Sequence, residues 1–135
     1  MSVRNILDQL GEVDFTYDYT RNVSFGTMTL SVTFRRSNKL CVIALNAGTV
    51  ATINYESEFV SQSGFVLPTE MTPTSQSVVA PAFVNNGVDS QGCVYLDGTP
   101  SHLIHIAGGP YPGTTFHVGT SNGGIPYGAI LVYTV

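Results

Sequence analysis

Residues Gly92–Ala107, GCVYLDGTPSHLIHIA, read as two short strands joined by a corner. Side chains alternate along a strand, so Cys93 and Tyr95 point one way and Val94 and Leu96 the other. Beyond the corner, Leu103 and His105 share one face, while His102, Ile104 and Ile106 share the opposite one. Asp97-Gly98 supplies a left-handed turn position, and Pro100 cannot donate to a ladder, so the chain must reverse here. The remaining strands are arranged around this hairpin.

Working outward, period-two alternation recurs. Val13, Phe15, Tyr17 and Tyr19 alternate with Asp14, Thr16 and Asp18, and Met28, Leu30, Val32 and Phe34 alternate with threonines and Ser31. A polar turn over Arg35–Lys39 leads into the apolar run Leu40–Asn46, which makes a hairpin of the pair, and Thr49–Tyr55 follows as another strand. Glu56–Ser77 loses its period, and a connection of that length is expected to cross from one sheet to the other. Val78–Val84 contains Pro81, which places it near an edge or a bulge; Asn85-Asn86-Gly87 is a turn. Gly108–Gly113, GGPYPG, is a loop that presents Tyr111. Thr114–Gly119 and Gly128–Val135 are the expected last strands, joined through Ser121–Gly124. The helical exception is Ser2–Leu10, with Ser2 as cap, Val3, Ile6, Leu7 and Leu10 on one face, and Gly11 as stop. Its spacing fits the end of a coiled-coil neck and equally a core-facing turn of helix. About nine short strands punctuated by turns predict an all-β, antiparallel Greek-key-type barrel or sandwich with a short N-terminal helix.

With 135 residues the chain forms one domain with a real core. Apolar residues make up 43 %, but charged ones only 10 %, against roughly 25 % in ordinary soluble domains. Sparse charge, the apolar-faced Ser2–Leu10 and many Thr/Val strand faces suit surfaces covered in an oligomer, and a trimer is expected. A net charge of −4 with 5 Lys plus Arg leaves no basic stripe for nucleic acid. No apolar run reaches the roughly 18 residues that span a bilayer, and the N-terminus lacks a signal peptide's layout. Cys41 and Cys93 sit in apolar strands and read as free, buried thiols.

Catalytic patterns are scarce. His102 and His105 fall on opposite faces of a strand and cannot share an ion, so no metal and no cofactor is expected. Glu56 and Glu58 share a face at a strand end, where solvated carboxylates are ordinary. Asp89 and Asp97 could be brought together by folding as a glycosidase pair is, although nothing local requires it. No nucleophile elbow or phosphate loop is present, and the chain reads as no enzyme. What stands out is a C-terminal concentration of aromatic and polar groups. Tyr95, Asp97, His105, Tyr111 and His117 are the candidate saccharide contacts, since sugar C–H faces stack on rings and hydroxyls take paired hydrogen bonds.

Three stretches also carry a family resemblance: TLSVTFRRSNKLCVIALNAGTV from Thr29, LPTEMTPTSQSVVAPAF from Leu67 and GCVYLDGTPSHLIHIAGG from Gly92. In that order and spacing, most of Val23–Val135 resembles the C-terminal head domain of receptor-binding proteins from tailed phages of Gram-positive bacteria, notably lactococcal ones. The resemblance implies a helical neck stub over residues 1–11 and a trimeric β-barrel head over 12–135. It also implies non-catalytic binding of host cell-surface saccharide, other phage tail proteins as partners, and a place at the virion tail tip after assembly in the bacterial host cytoplasm. The family's sugar site uses aromatic, His, Asp and Arg side chains near a subunit boundary. This chain has no Trp, and its only arginines beyond Arg21 are Arg35 and Arg36. The alternatives are a structural tail, baseplate or capsid protein without ligand, a trimeric jelly roll of the tumour-necrosis-factor or complement type suggested by YGAILVYTV, and a wall-polysaccharide depolymerase.

Overall fold

The computed structural model describes residues 17–62, 64–73, 78–98 and 102–135; the expected helix Ser2–Leu10, and with it the neck stub, lies outside them. Among these described residues ten strands form two antiparallel sheets, one of the sheets curling as a half-barrel. The four-stranded sheet runs β1 (Tyr17–Phe25), β2 (Met28–Ser37), β3 (Leu40–Leu45), β10 (Ala129–Thr134). The six-stranded sheet has the order β4 (Gly48–Thr52), β9 (Ser121–Ile125), β6 (Val78–Asn85), β7 (Asp89–Leu96), β8 (Ile104–Ala107), β5 (Phe59–Val60). Among the described residues the helical content is one 3-10 turn, Thr69–Met71.

Alternation decides what is buried. In β2, Met28, Leu30, Val32 and Phe34 face the core, and in β3 so do Cys41, Ile43 and Leu45. Opposite them stand Val94 and Leu96 of β7 and Ile104 and Ile106 of β8. Each fully buried aliphatic side chain of this kind stabilises by about 1.5–3 kcal/mol. The predicted hairpins β2–β3 and β7–β8 both form, with Tyr95 directly opposite His105 and Leu96 opposite Ile104. Among the described residues of the second corner the left-handed one is His102, at φ 47°, rather than one at Asp97-Gly98. Leu103 leaves the face expected for it and packs against the main core, because strand geometry starts only at Ile104.

Three expectations are corrected. The connection from β4 to β6 joins two strands of the six-stranded sheet and contributes β5 at that sheet's far edge, so the expected crossing over Glu56–Ser77 is not made; the chain changes sheets at Asn46-Ala47, between β3 and β4, and again between β9 and β10. Thr114–Gly119 is loop, whereas the expected turn Ser121–Gly124 lies in β9. The glycines there serve close packing, since a Cβ on Gly123 would meet Ile53 Cδ1 at 2.7 Å and one on Gly124 the Gly48 carbonyl at 2.5 Å. Asp89 and Asp97 sit at opposite ends of β7, so they form no carboxylate pair.

Pro81 takes the edge-like place predicted for it. Strand β6 pairs with β7 over its whole length but with β9 only at Asn85–Gly124. Strand β10 of the other sheet lies close to β6 with no ladder between the two. A residue with no N–H costs nothing there.

Candidate functional site

The outer face of the β7–β8 hairpin holds a second cluster, separate from the main core: Cys93, Tyr95 and Ala107. Tyr95 is buried there, its ring stacked on His105 with centroids 4.5 Å apart and planes 14° off parallel. Strand β5 brings Glu58 to this face. Val60 pairs with His105, and Glu58, two residues earlier, falls in the same outward row. Its carboxylate accepts the Tyr95 hydroxyl at 2.6 and 2.8 Å, the Gly113 N–H at 3.1 Å and His105 Nδ1 at 3.2 Å. An ionised carboxylate only accepts, so Nδ1 carries the proton of that contact. On the ring's other side Nε2 lies 2.8 Å from Asp97 Oδ2. The two are close, yet among the described residues Nε2 has no hydrogen-bond partner.

Burial first, then the hydrogen bond to Glu58 and the negative charges of Glu58 and Asp97, hold the Tyr95 phenol far above its ordinary pKa. Burial, with the Glu58 charge second, likewise raises the Cys93 thiol. The arrangement therefore keeps Tyr95 protonated as a donor and His105 fixed between two carboxylates.

The loop over the cluster is held at several points. Gly113, at φ 91°, turns its N–H onto Glu58, and Gly108 N–H donates to the Thr114 carbonyl. From the β6–β7 turn, Asn86 Nδ2 donates to the carbonyls of Gly108 and Thr115, while its Oδ1 accepts the His117 N–H at 2.7 Å. Tyr111 is thereby presented 73 % exposed on a tethered loop.

Tyr95, Asp97 and His105 are thus brought together. Tyr111 stands on the loop that Glu58 pins, and His117 is exposed further along it, tied through its backbone. Tyr95 is no open platform: its face is spent on His105 and its hydroxyl on Glu58. Sequence reasoning passed over Glu58 and Asn86. A two-residue strand leaves no alternation to read, so Glu58 looked like a solvated edge; Asn86 looked only like a turn residue.

Beside this cluster opens a cleft of about 330 Å³, between the β1–β2 turn and the segment from β4 to Gln62. Phe25, Val50, Ile53 and Phe59 give it an apolar lining, Glu58 is part of its wall, and Tyr55 stands at it 77 % exposed. Backbone bonds tie this segment to the loop before β9, from Ile53 to Thr120 and from Phe116 to Ser57. Both thiols are free and buried. Among the described residues no helix is long and apolar enough to cross a membrane. No family model matches the chain, and no curated protein is significantly similar to it.

Proposed function

We propose that the chain is a non-catalytic saccharide-binding module, the trimeric head of a phage receptor-binding protein that adheres to the host cell wall at the virion tail tip. The observation that carries this reading is the cleft. It combines an apolar lining, a rim of neutral hydroxyl and amide groups, and an exposed Tyr55 able to stack on a sugar face. Tyr111 offers a second exposed ring on a tethered loop, as a preorganised contact needs. Support for a binding rather than a reacting role comes from His105 and Tyr95, whose polar atoms face carboxylates inside the cluster. The trimer draws support from the outer face of β3–β10, where Ile130 and Val132 are exposed beside Val42 and Leu40.

The test is retention of the purified chain on whole cells of related bacterial strains. Retention on one strain and not on its relatives is expected, and Tyr55→Ala and Tyr111→Ala should each weaken it by about 1–3 kcal/mol. A chain that adheres to no strain, or variants that adhere unchanged, would remove the adhesion reading. Light scattering that finds a stable 14.4 kDa species at micromolar concentration would remove the trimer. The β3–β10 face also favours a second reading, a tail or capsid component that uses the face for assembly. That role predicts a stable oligomer with no wall retention.

A further inference from the structure

We infer, resting on the saccharide reading, that the cleft selects an uncharged saccharide, of hexose or N-acetylhexosamine units without phosphate or carboxylate, and that Glu58 is the residue that sets this choice. The cleft has one charged lining residue, Glu58; beside it the rim offers Thr27, Thr52, Asn54, Ser57 and Gln62. Hydroxyls and amides of this kind pair with sugar hydroxyls and acetamido groups without needing a counter-charge. Glu58 cannot swing aside from an incoming anion, because the Tyr95 hydroxyl, His105 Nδ1 and the Gly113 N–H all hold it. Glu56 is exposed between the cleft residues Tyr55 and Ser57, and Asp97 stands behind His105, so further negative charge surrounds the wall.

Cations that could offset this are elsewhere. Among the described residues Lys and Arg occur only on β1, β2 and the turn after β2. Arg21 lies over the Phe65 ring, Arg35 pairs with Asp18, and Arg36 donates to the carbonyls of Asn38 and Glu70. None of them lines the cleft. Phosphate and carboxylate recognition calls for guanidinium, ammonium or a cluster of convergent N–H groups. The Gly113 N–H beside this wall is already taken by Glu58. An anion entering the cleft would lose hydration and meet a fixed like charge.

The experiment uses wall polysaccharide from a strain to which the chain adheres, before and after hydrofluoric-acid removal of phosphate. Dephosphorylation should leave the affinity unchanged or raise it, and raising salt from about 50 mM to 500 mM should not weaken binding, because contacts to sugar hydroxyls offer nothing to screen. Glu58→Gln should shrink whatever gain dephosphorylation brings to the unaltered chain, and a gain of the same size in the variant would take the choice away from Glu58. Loss of binding on dephosphorylation, or a fall of about tenfold or more with salt, would overturn the charge selection while leaving saccharide adhesion standing. If Glu58→Gln fails to fold, the salt and dephosphorylation series on the unaltered chain decides alone. Adherence to no strain at all would overturn the saccharide reading itself, and this inference with it.

Discussion

The two faces of the β7–β8 hairpin differ by one residue of register and by everything in their chemistry. Inward, Val94, Leu96, Ile104 and Ile106 pack aliphatic surface against the opposite sheet. Outward, Tyr95 and His105 are also largely buried, but by a carboxylate that arrives from a two-residue strand far away in sequence. Inner burial is additive and tolerant of exact partners, because dispersion and water exclusion need no direction. Outer burial is conditional: each donor and acceptor taken from water must find a mate, and Glu58 supplies three of the matches. A sheet face that loses its cover by one side chain is a different object from one that loses a methyl group.

The largest expected effect tests the inner face. Ile106→Ala leaves a cavity where the side chain is fully buried, and should cost about 2–5 kcal/mol in urea or thermal unfolding. A loss below about 1 kcal/mol would mean that the site collapses freely and that the inner packing is loose. Next comes Glu58→Ala, which strands the Tyr95 hydroxyl, His105 Nδ1 and the Gly113 N–H. It should cost about 1–3 kcal/mol and also expose the Gly108–Thr114 loop to protease cleavage. If global stability falls and the loop stays protected, the carboxylate is not what holds the cover.

Alkaline pH separates the faces by titration. Tyr95 on the outer face and Tyr133 on the inner one both have raised pKa values, burial being the first cause in each. A group whose folded pKa exceeds its unfolded value stabilises fully below the unfolded pKa, and loses that contribution as pH climbs through the folded one. Stability should therefore decline above about pH 10, with two of the 7 tyrosines ionising only as the fold opens. Tyrosinate absorbance reads this directly. Tyr95→Phe should cost about 1 kcal/mol at neutral pH and make the alkaline decline shallower. An unchanged slope would show that Tyr95 ionises within the folded state.

The smallest effect concerns the thiols, one on each face. Cys41 and Cys93 are both raised by burial, and neither should react with a thiol reagent until unfolding frees both. Reaction of Cys93 alone under native conditions would show that the outer cover opens while the inner core stays shut.

What was legible followed from period. The alternation in β2 named its buried face and that in β7 sorted its two faces, and Asn85-Asn86-Gly87 named the turn between β6 and β7, where Gly87 has φ 92°. What stayed illegible was set by tertiary contact. SNGG has turn composition, yet in β9 its glycines are there so that Ile53 and the Gly48 carbonyl can come close. Strand β5 exists because β8 offers it an edge, and no property of Phe59-Val60 alone announces that.

The unladdered seam between β6 and β10 has a consequence in time. Everywhere else on those strands, separation means breaking hydrogen-bonded pairs, with β7 on one side and β3 on the other. Along the seam only side-chain packing resists, and Pro81 offers no N–H with which to start a ladder. Backbone amides of β10 that point across the gap should exchange with solvent deuterium sooner than those bonded to β3. The sandwich would then breathe along a single line, parting like a book at its unbound edge, while the cleft beside β5 and the Glu58 cover keep their shape.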